Sequence, residues 1–208
     1  MDVDTRQANL RLSWEEDDNL VVSLTPLQGH WTEEQYLLVT DQTNRLLEFD
    51  DGYIEVLPMP TEEHQAISQV LFLALLAFLQ RIGGKVYYAP LRVRLRAGKF
   101  REPDLLLVRD ASDPRRQNRY WLGADLVVEI VSADNPERDT KVKREEYAQT
   151  GIPEYWIVNP LTATITVLVL EGETYTEHGV FGRGDRAVSR LLDGFSISVD
   201  EVLDAHLK

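Results

Sequence analysis

The spacing of apolar and polar residues predicts an alternation of helices and strands along most of the chain. Thr32-Glu33-Glu34-Gln35 has the form of a capping box and opens a short helix through about residue 40. Residues 45–49 and 53–57 flank Asp50-Asp51-Gly52, a hairpin signal. Pro60-Thr61 then starts a long helix that runs to about residue 80 and stops at Gly83-Gly84. Its apolar residues wrap most of the circumference, which predicts a largely buried helix. Residues 85–89 and 91–96 read as strands. In the second, Arg92, Arg94 and Arg96 alternate with Val93 and Leu95, placing three arginines on one face. Residues 104–108 and 126–131 are short continuous apolar runs, as expected of strands covered on both sides. Residues 139–150 form a helix closed by Gly151, strands follow at 154–158, 163–170 and 173–177, and residues 199–207 predict a last helix. This order predicts an α/β fold, a mixed central β-sheet flanked by helices.

A chain of 208 residues suits a single domain at 31–208 preceded by an arm at 1–30. It contains no cysteine, which excludes thiol nucleophiles, cysteine-based zinc sites and iron–sulfur clusters. The amino terminus is polar and acidic, without the apolar core of a secretory signal. The uncharged stretch at 64–80 is short and carries Gln65, Ser68 and Gln69, so no membrane span is predicted and a cytoplasmic location is expected.

Charge complicates this picture. The formal net charge is −13, which taken alone argues against a nucleic-acid partner. Its distribution is uneven: residues 1–63 hold 15 acidic and 3 basic side chains, whereas residues 81–119 hold 11 basic and 4 acidic. Phosphates respond to local clusters of this kind, although a solvated charged face has the same composition.

Two carboxylates attached to apolar strands carry the candidate chemistry. Asp104 stands in Arg-Glu-Pro-Asp-Leu-Leu-Leu-Val, and Glu129 is flanked by Val127, Val128, Ile130 and Val131. A buried carboxylate is costly unless it is paired, hydrogen-bonded or bound to a metal. On neighbouring strands the two make an oxygen-rich site of the type Mg²⁺ prefers; pairing with arginine, or a sheet edge, is the alternative. Lys143, in a helix after the 135–136 loop, supplies a cation able to stabilise charge on a phosphoryl transition state, or simply a solvated face. Tyr147, Tyr155 and Trp156 are expected in the core. No Gly-x-Ser-x-Gly elbow, Walker loop or His-Glu-x-x-His occurs, and His30, His64, His178 and His206 are scattered. A two-carboxylate glycosidase site would require neither the lysine nor the basic strand.

Five segments in order, Glu48-Phe49-Asp50-Asp51-Gly52, Glu63-His64, Pro103-Asp104, Leu126-Val127-Val128-Glu129-Ile130-Val131-Ser132 and Gly151-Ile152-Pro153-Glu154-Tyr155-Trp156-Ile157-Val158, together with Asp139, Lys143 and Tyr147, resemble a bacterial family. It is the Uma-type restriction endonucleases, abundant in cyanobacteria, a branch of the PD-(D/E)XK nuclease superfamily. The resemblance covers roughly residues 31–169. It implies a restriction-endonuclease-like fold and a Mg²⁺-dependent endonuclease site acting on DNA phosphodiesters, with Mn²⁺ as a substitute. Asp104 matches the metal-binding Asp, and Glu129 the acidic member of the (D/E)XK motif. The lysine expected two residues later is Val131, and Lys143 matches the family's relocated lysine, with Lys141 as the fallback. The resemblance thus implies Asp104, Glu129 and Lys143 as catalytic residues, and Asp104, Glu129, the carbonyl of Ile130 and Glu48 around the metal. His64 matches a recurrent family position as either a helix-start or a site histidine. DNA is the expected partner, with a homodimer as a candidate assembly. A catalytically weak interaction module that keeps the fold is the competing expectation, and the strong acidity favours it.

Overall fold

The computed structural model describes residues 12–14, 20–22 and 24–207. Of the expected arm, Leu12–Trp14 (β1) and Leu20–Val22 (β2) pair antiparallel, and the remainder of residues 1–23 lies outside the described residues.

Glu33–Thr40 forms α1 behind the capping box read from the sequence: Thr32 Oγ1 accepts from the Gln35 amide, and the Gln35 side chain accepts from the Thr32 amide. Leu47–Asp50 (β3) and Tyr53–Val56 (β4) make the expected hairpin. Asp51 and Gly52 both have positive φ, +43° and +90°, as the tightest hairpin turns require. A Cβ on Gly52 would also stand 2.7 Å from the Gly29 backbone, so glycine is needed there for space as well.

Glu62–Ile82 forms α2, capped by Thr61 Oγ1 and ended by Gly83 in the left-handed conformation. By length and composition alone it could cross a membrane. In the fold it lies on the sheet through one stripe, Ile67, Leu71, Leu75 and Leu79, while Leu73 is 54% exposed. The expectation of a largely buried helix is therefore corrected. Positions four apart are fully buried, Val70, Phe72, Ala74, Leu76 and Phe78 pack only partly against the same core, and the outer side is open to solvent.

Lys85–Tyr88 (β5), Val93–Arg96 (β6), Lys99–Arg101 (β7), Leu105–Val108 (β8) and Leu126–Ile130 (β9) follow. A π-helical turn at Arg138–Val142 leads into α3, Lys143–Thr150, and then into Glu154–Asn159 (β10). Thr164–Glu171 (β11), Thr174–Phe181 (β12), Arg186–Val188 (β13), Ser196–Ser198 (β14) and a short α4, Val199–Leu203, complete the chain.

Six strands build the central sheet in the order β12-β11-β10-β9-β8-β5, and four build a second in the order β4-β3-β7-β6. The central sheet is mixed. β9 and β10 run parallel and are joined across α3, whereas the other neighbouring pairs are antiparallel. α2 and α4 cover one face over a core that includes Leu105, Leu107, Val128 and Trp156. The other face packs Leu106, Val127, Tyr147 and Tyr155 beneath α3 and β6. α1 and the second sheet enclose a third core around Tyr36, Phe49 and Phe100.

β6 brings a further correction. Its arginines share a face as alternation predicts, but carboxylates meet all three. Arg92 pairs with Asp41, Arg94 with Glu33 at 2.9 Å, and Arg96 with Asp51 at 2.7 Å. The acidic amino-terminal third folds back onto the basic middle, so these arginines tie α1 and the hairpin to β6.

Candidate active site

The antiparallel register of β8 and β9 places Leu105 opposite Val128, which carries Asp104, just ahead of β8, to the end of β9. There the Ile130 amide donates to Asp104 Oδ2 at 2.7 Å, and the Asp104 amide approaches Glu129 Oε2 at 3.5 Å. Asp104 and Glu129 are thus held side by side by backbone contacts.

The π-helical turn widens the start of the helical segment and aims two side chains four residues apart at the same place. Lys143 Nζ lies 2.9 Å from Glu129 Oε1, 3.1 Å from Asp139 Oδ1 and 3.8 Å from Glu48 Oε1. One turn further, the buried Tyr147 hydroxyl donates to Glu129 Oε1 at 2.5 Å. From the other side His64, in the first turn of α2, places Nε2 3.2 Å from Asp104 Oδ2, while its buried Nδ1 finds no partner among the described residues.

Glu48 enters the cluster from β3 but not the cleft. Its Oε2 accepts from Arg138 and lies 3.4 Å from Arg101 Nε, and its Oε1 accepts from the Glu102 amide at 3.3 Å. Arg101 in turn holds Glu146 of α3 through two bonds of 2.8 and 2.6 Å. Glu48 therefore serves Arg138 and Lys143 in a buried ionic network that joins the second sheet to α3. Lys141 points away, 2.7 Å from Glu137 on an exposed turn. Asp139, Tyr147, Arg138 and Arg101 complete the cluster without having been singled out as site residues. Asp139, Lys143 and Tyr147 do share a four-residue spacing, which is the signal that would have grouped them.

Electrostatically the cluster carries an excess of carboxylates. Burial, then repulsion from Asp104 and Asp139, pushes Glu129 up to about 8 despite Lys143 and Tyr147. Asp139 is raised in the same way, first by burial. Burial also raises Glu48, but Lys143, Arg101 and Arg138 more than offset it and hold that carboxyl below the usual range. Burial works against the charge on Lys143, and Glu129, Glu48, Asp139 and Asp104 together outweigh it, so the ammonium is retained well above its ordinary range. His64 is raised as well, its burial outweighed by the bond to Asp104.

The cluster opens into a cleft of about 680 Å³ whose lining includes His64, Asp104, Glu129, Ile130, Asp139 and Lys143. Among the described residues no three His, Asp or Glu side chains are spaced to enclose a metal ion by themselves. The donors that fit are fewer. Asp104 Oδ1 accepts no hydrogen bond from the described residues, and Glu129 Oε2 accepts only the long one from Asp104. Two hard oxygens beside an uncompensated negative charge suit Mg²⁺, which commonly takes one or two carboxylates and keeps several waters.

No curated protein matches the chain. A solved structure from Anabaena variabilis, described as a putative nuclease belonging to DUF820, superposes with a TM-score of 0.66 at 18% identity, covering 82% of this chain and 98% of that one. It shares the mixed sheet flanked by helices. The sequence pattern of the Uma2 family, described as "Putative restriction endonuclease", matches residues 33–200, and the chain belongs to that family.

Proposed function

We propose that the chain is a Mg²⁺-dependent endonuclease that hydrolyses DNA phosphodiesters, with Mn²⁺ as a substitute. The observation that carries this reading is the pairing of Asp104 and Glu129 by backbone contacts, with the Lys143 amine 2.9 Å from Glu129, at the floor of a cleft. Asp104, Glu129 and the carbonyl of Ile130 would hold the ion. Once bound, it supplies Lewis-acid polarisation of the phosphate and lowers the pKa of a coordinated water. Lys143 needs no proton transfer to act. Its ammonium, kept charged by surrounding carboxylates, stabilises negative charge that builds on the phosphoryl oxygens. Tyr147 and Asp139 fix the position of Glu129 and Lys143, and His64 orients Asp104.

Cleavage of supercoiled plasmid, linear duplex and single-stranded DNA with Mg²⁺, with Mn²⁺ and with a chelator tests the reading. Asp104→Ala is expected to abolish cleavage and keep the fold. Equal cleavage by wild type and Asp104→Ala would sink it. A second reading, an interaction module without catalysis, is favoured by the neutralised β6 arginines; it gains if no DNA form is cut with either metal.

A further inference from the structure

A second groove, separate from the carboxylate cleft, is built by β5, the segment at 90–92, the loop at 111–119 and Phe72 in the middle of α2. Its volume is about 1050 Å³, and Tyr88 and Pro90 line it as well as the cleft, so the two adjoin at these residues. The floor is aromatic. Tyr87 packs edge-on against Trp121 at 5.6 Å, and Tyr88 edge-on against Phe72 at 5.0 Å. Trp121 is buried, whereas Tyr87 and Tyr88 are 40% and 56% exposed.

The rim is positively charged, unlike the chain as a whole. Arg92 and Arg119 share the single carboxylate of Asp41. Arg116 has no carboxylate partner among the described residues and lies over the Trp121 ring at 5.7 Å. The Nε atoms of Arg92 and Arg116 are buried and have no partner among the described residues, and Arg116 Nη1 donates to the Ala111 carbonyl. Nearby Asp113 is already engaged by Arg115 at 2.5 Å. The local surplus is therefore cationic.

Exposed tyrosine rings next to a guanidinium that meets no carboxylate among the described residues match a polyanion whose own flat groups are free to stack. Duplex DNA hides its base faces, whereas an unpaired strand presents them. Resting on the nuclease reading above, we propose that this groove binds an unpaired DNA strand running into the cleft. Bases stack on Tyr88 and Tyr87 while Arg116 meets the backbone.

Anisotropy of a short labelled oligothymidylate, measured in chelator so that no strand is cut, tests this. The single strand should bind more tightly than a duplex of equal length. Tyr88→Ala should weaken it about tenfold, the worth of one stacked base, and Tyr88→Phe should not. Arg116→Ala should reduce the log–log salt slope by about 0.7, one phosphate contact on a single strand. Melting temperatures taken alongside exclude misfolding as the cause. Equal affinity for single strand and duplex, or undiminished binding by both Tyr88→Ala and Arg116→Ala, would overturn the proposal. So would tighter, Tyr88-dependent binding of oligouridylate, which would assign the groove to RNA. Plasmid cutting that depends on Asp104, without oligothymidylate binding, removes the groove proposal alone. If DNA is neither bound nor cut, both readings fall.

Discussion

Lys143 illustrates how little of a side chain's role lies in its own identity. Without its partners it is a helix lysine like Lys141, and the difference is that Glu129, Asp139 and Glu48 converge on one ammonium and Lys141 meets only Glu137. Removing one partner from a buried ionic group leaves the others uncompensated, at about 3–5 kcal/mol. Lys143→Ala is thus expected to lower both melting temperature and cleavage rate, whereas Lys141→Ala should change neither; denaturant unfolding and plasmid cleavage check both. The pH dependence follows from two buried carboxyls. Glu129 and Glu102 are each pushed up to about 8, chiefly by burial, from an ordinary value of 4.5. A carboxyl raised on folding favours the folded state while protonated, and that contribution is lost as pH rises through about 8. The metal-free protein is expected to melt at lower temperature at pH 9 than at pH 6, and Glu102→Gln to flatten the trend. Added Mg²⁺ should raise the melting temperature more at pH 9, because it competes with the proton for Glu129. A melt independent of pH across this range would remove the charge excess from the account of the site.

The elements show where sequence pattern is a sufficient guide and where it is not. Thr32, Thr61 and the Asp51-Gly52 turn act within a few residues of themselves, and the structure has each as read. Asp104 and Glu129 were also legible, because a carboxylate inside an apolar run is an anomaly that local propensity does not explain. β7, β13 and β14 have three residues each, too few to express a period, and exist only through their partners. The same limit hid Arg101, whose contacts come from β3 and α3, both more than forty residues away in sequence. In α2, hydrophobic residues outnumber buried positions, so composition alone overstated burial. Leu75→Ala, at a position 2% exposed, is expected to cost about 2–5 kcal/mol in unfolding free energy. Leu73→Ala, on the outer side, should stay within about 0.5 kcal/mol. Equal losses at the two positions would mean that the outer face of α2 is covered by something else.

At the scale of the whole molecule, a chain of net charge −13 folds so that its acidic and basic thirds neutralise one another. Arg94 and Glu33 are both partly exposed, so their pair is worth about 0.5–1 kcal/mol. Arg94→Ala and Glu33→Ala should be less than additive in a double-mutant cycle, and Arg94→Ala should leave DNA affinity unchanged. A drop in affinity as large as that from Arg116→Ala would return β6 to the DNA-facing surface. The Glu48, Arg138, Arg101 and Glu146 network has a broader consequence. Glu48 and Arg101 come from the second sheet, and Arg138 and Glu146 from the π-helical turn and α3, so the second-sheet carboxylate beside the proposed catalytic lysine is in place only while the two layers are docked. Activity then reports on the seam between layers, not on the intactness of either. Mild denaturant or salt that loosens the seam should silence the proposed cleavage while the central sheet still resists hydrogen exchange. The molecule would fail as a tool before it fails as a fold.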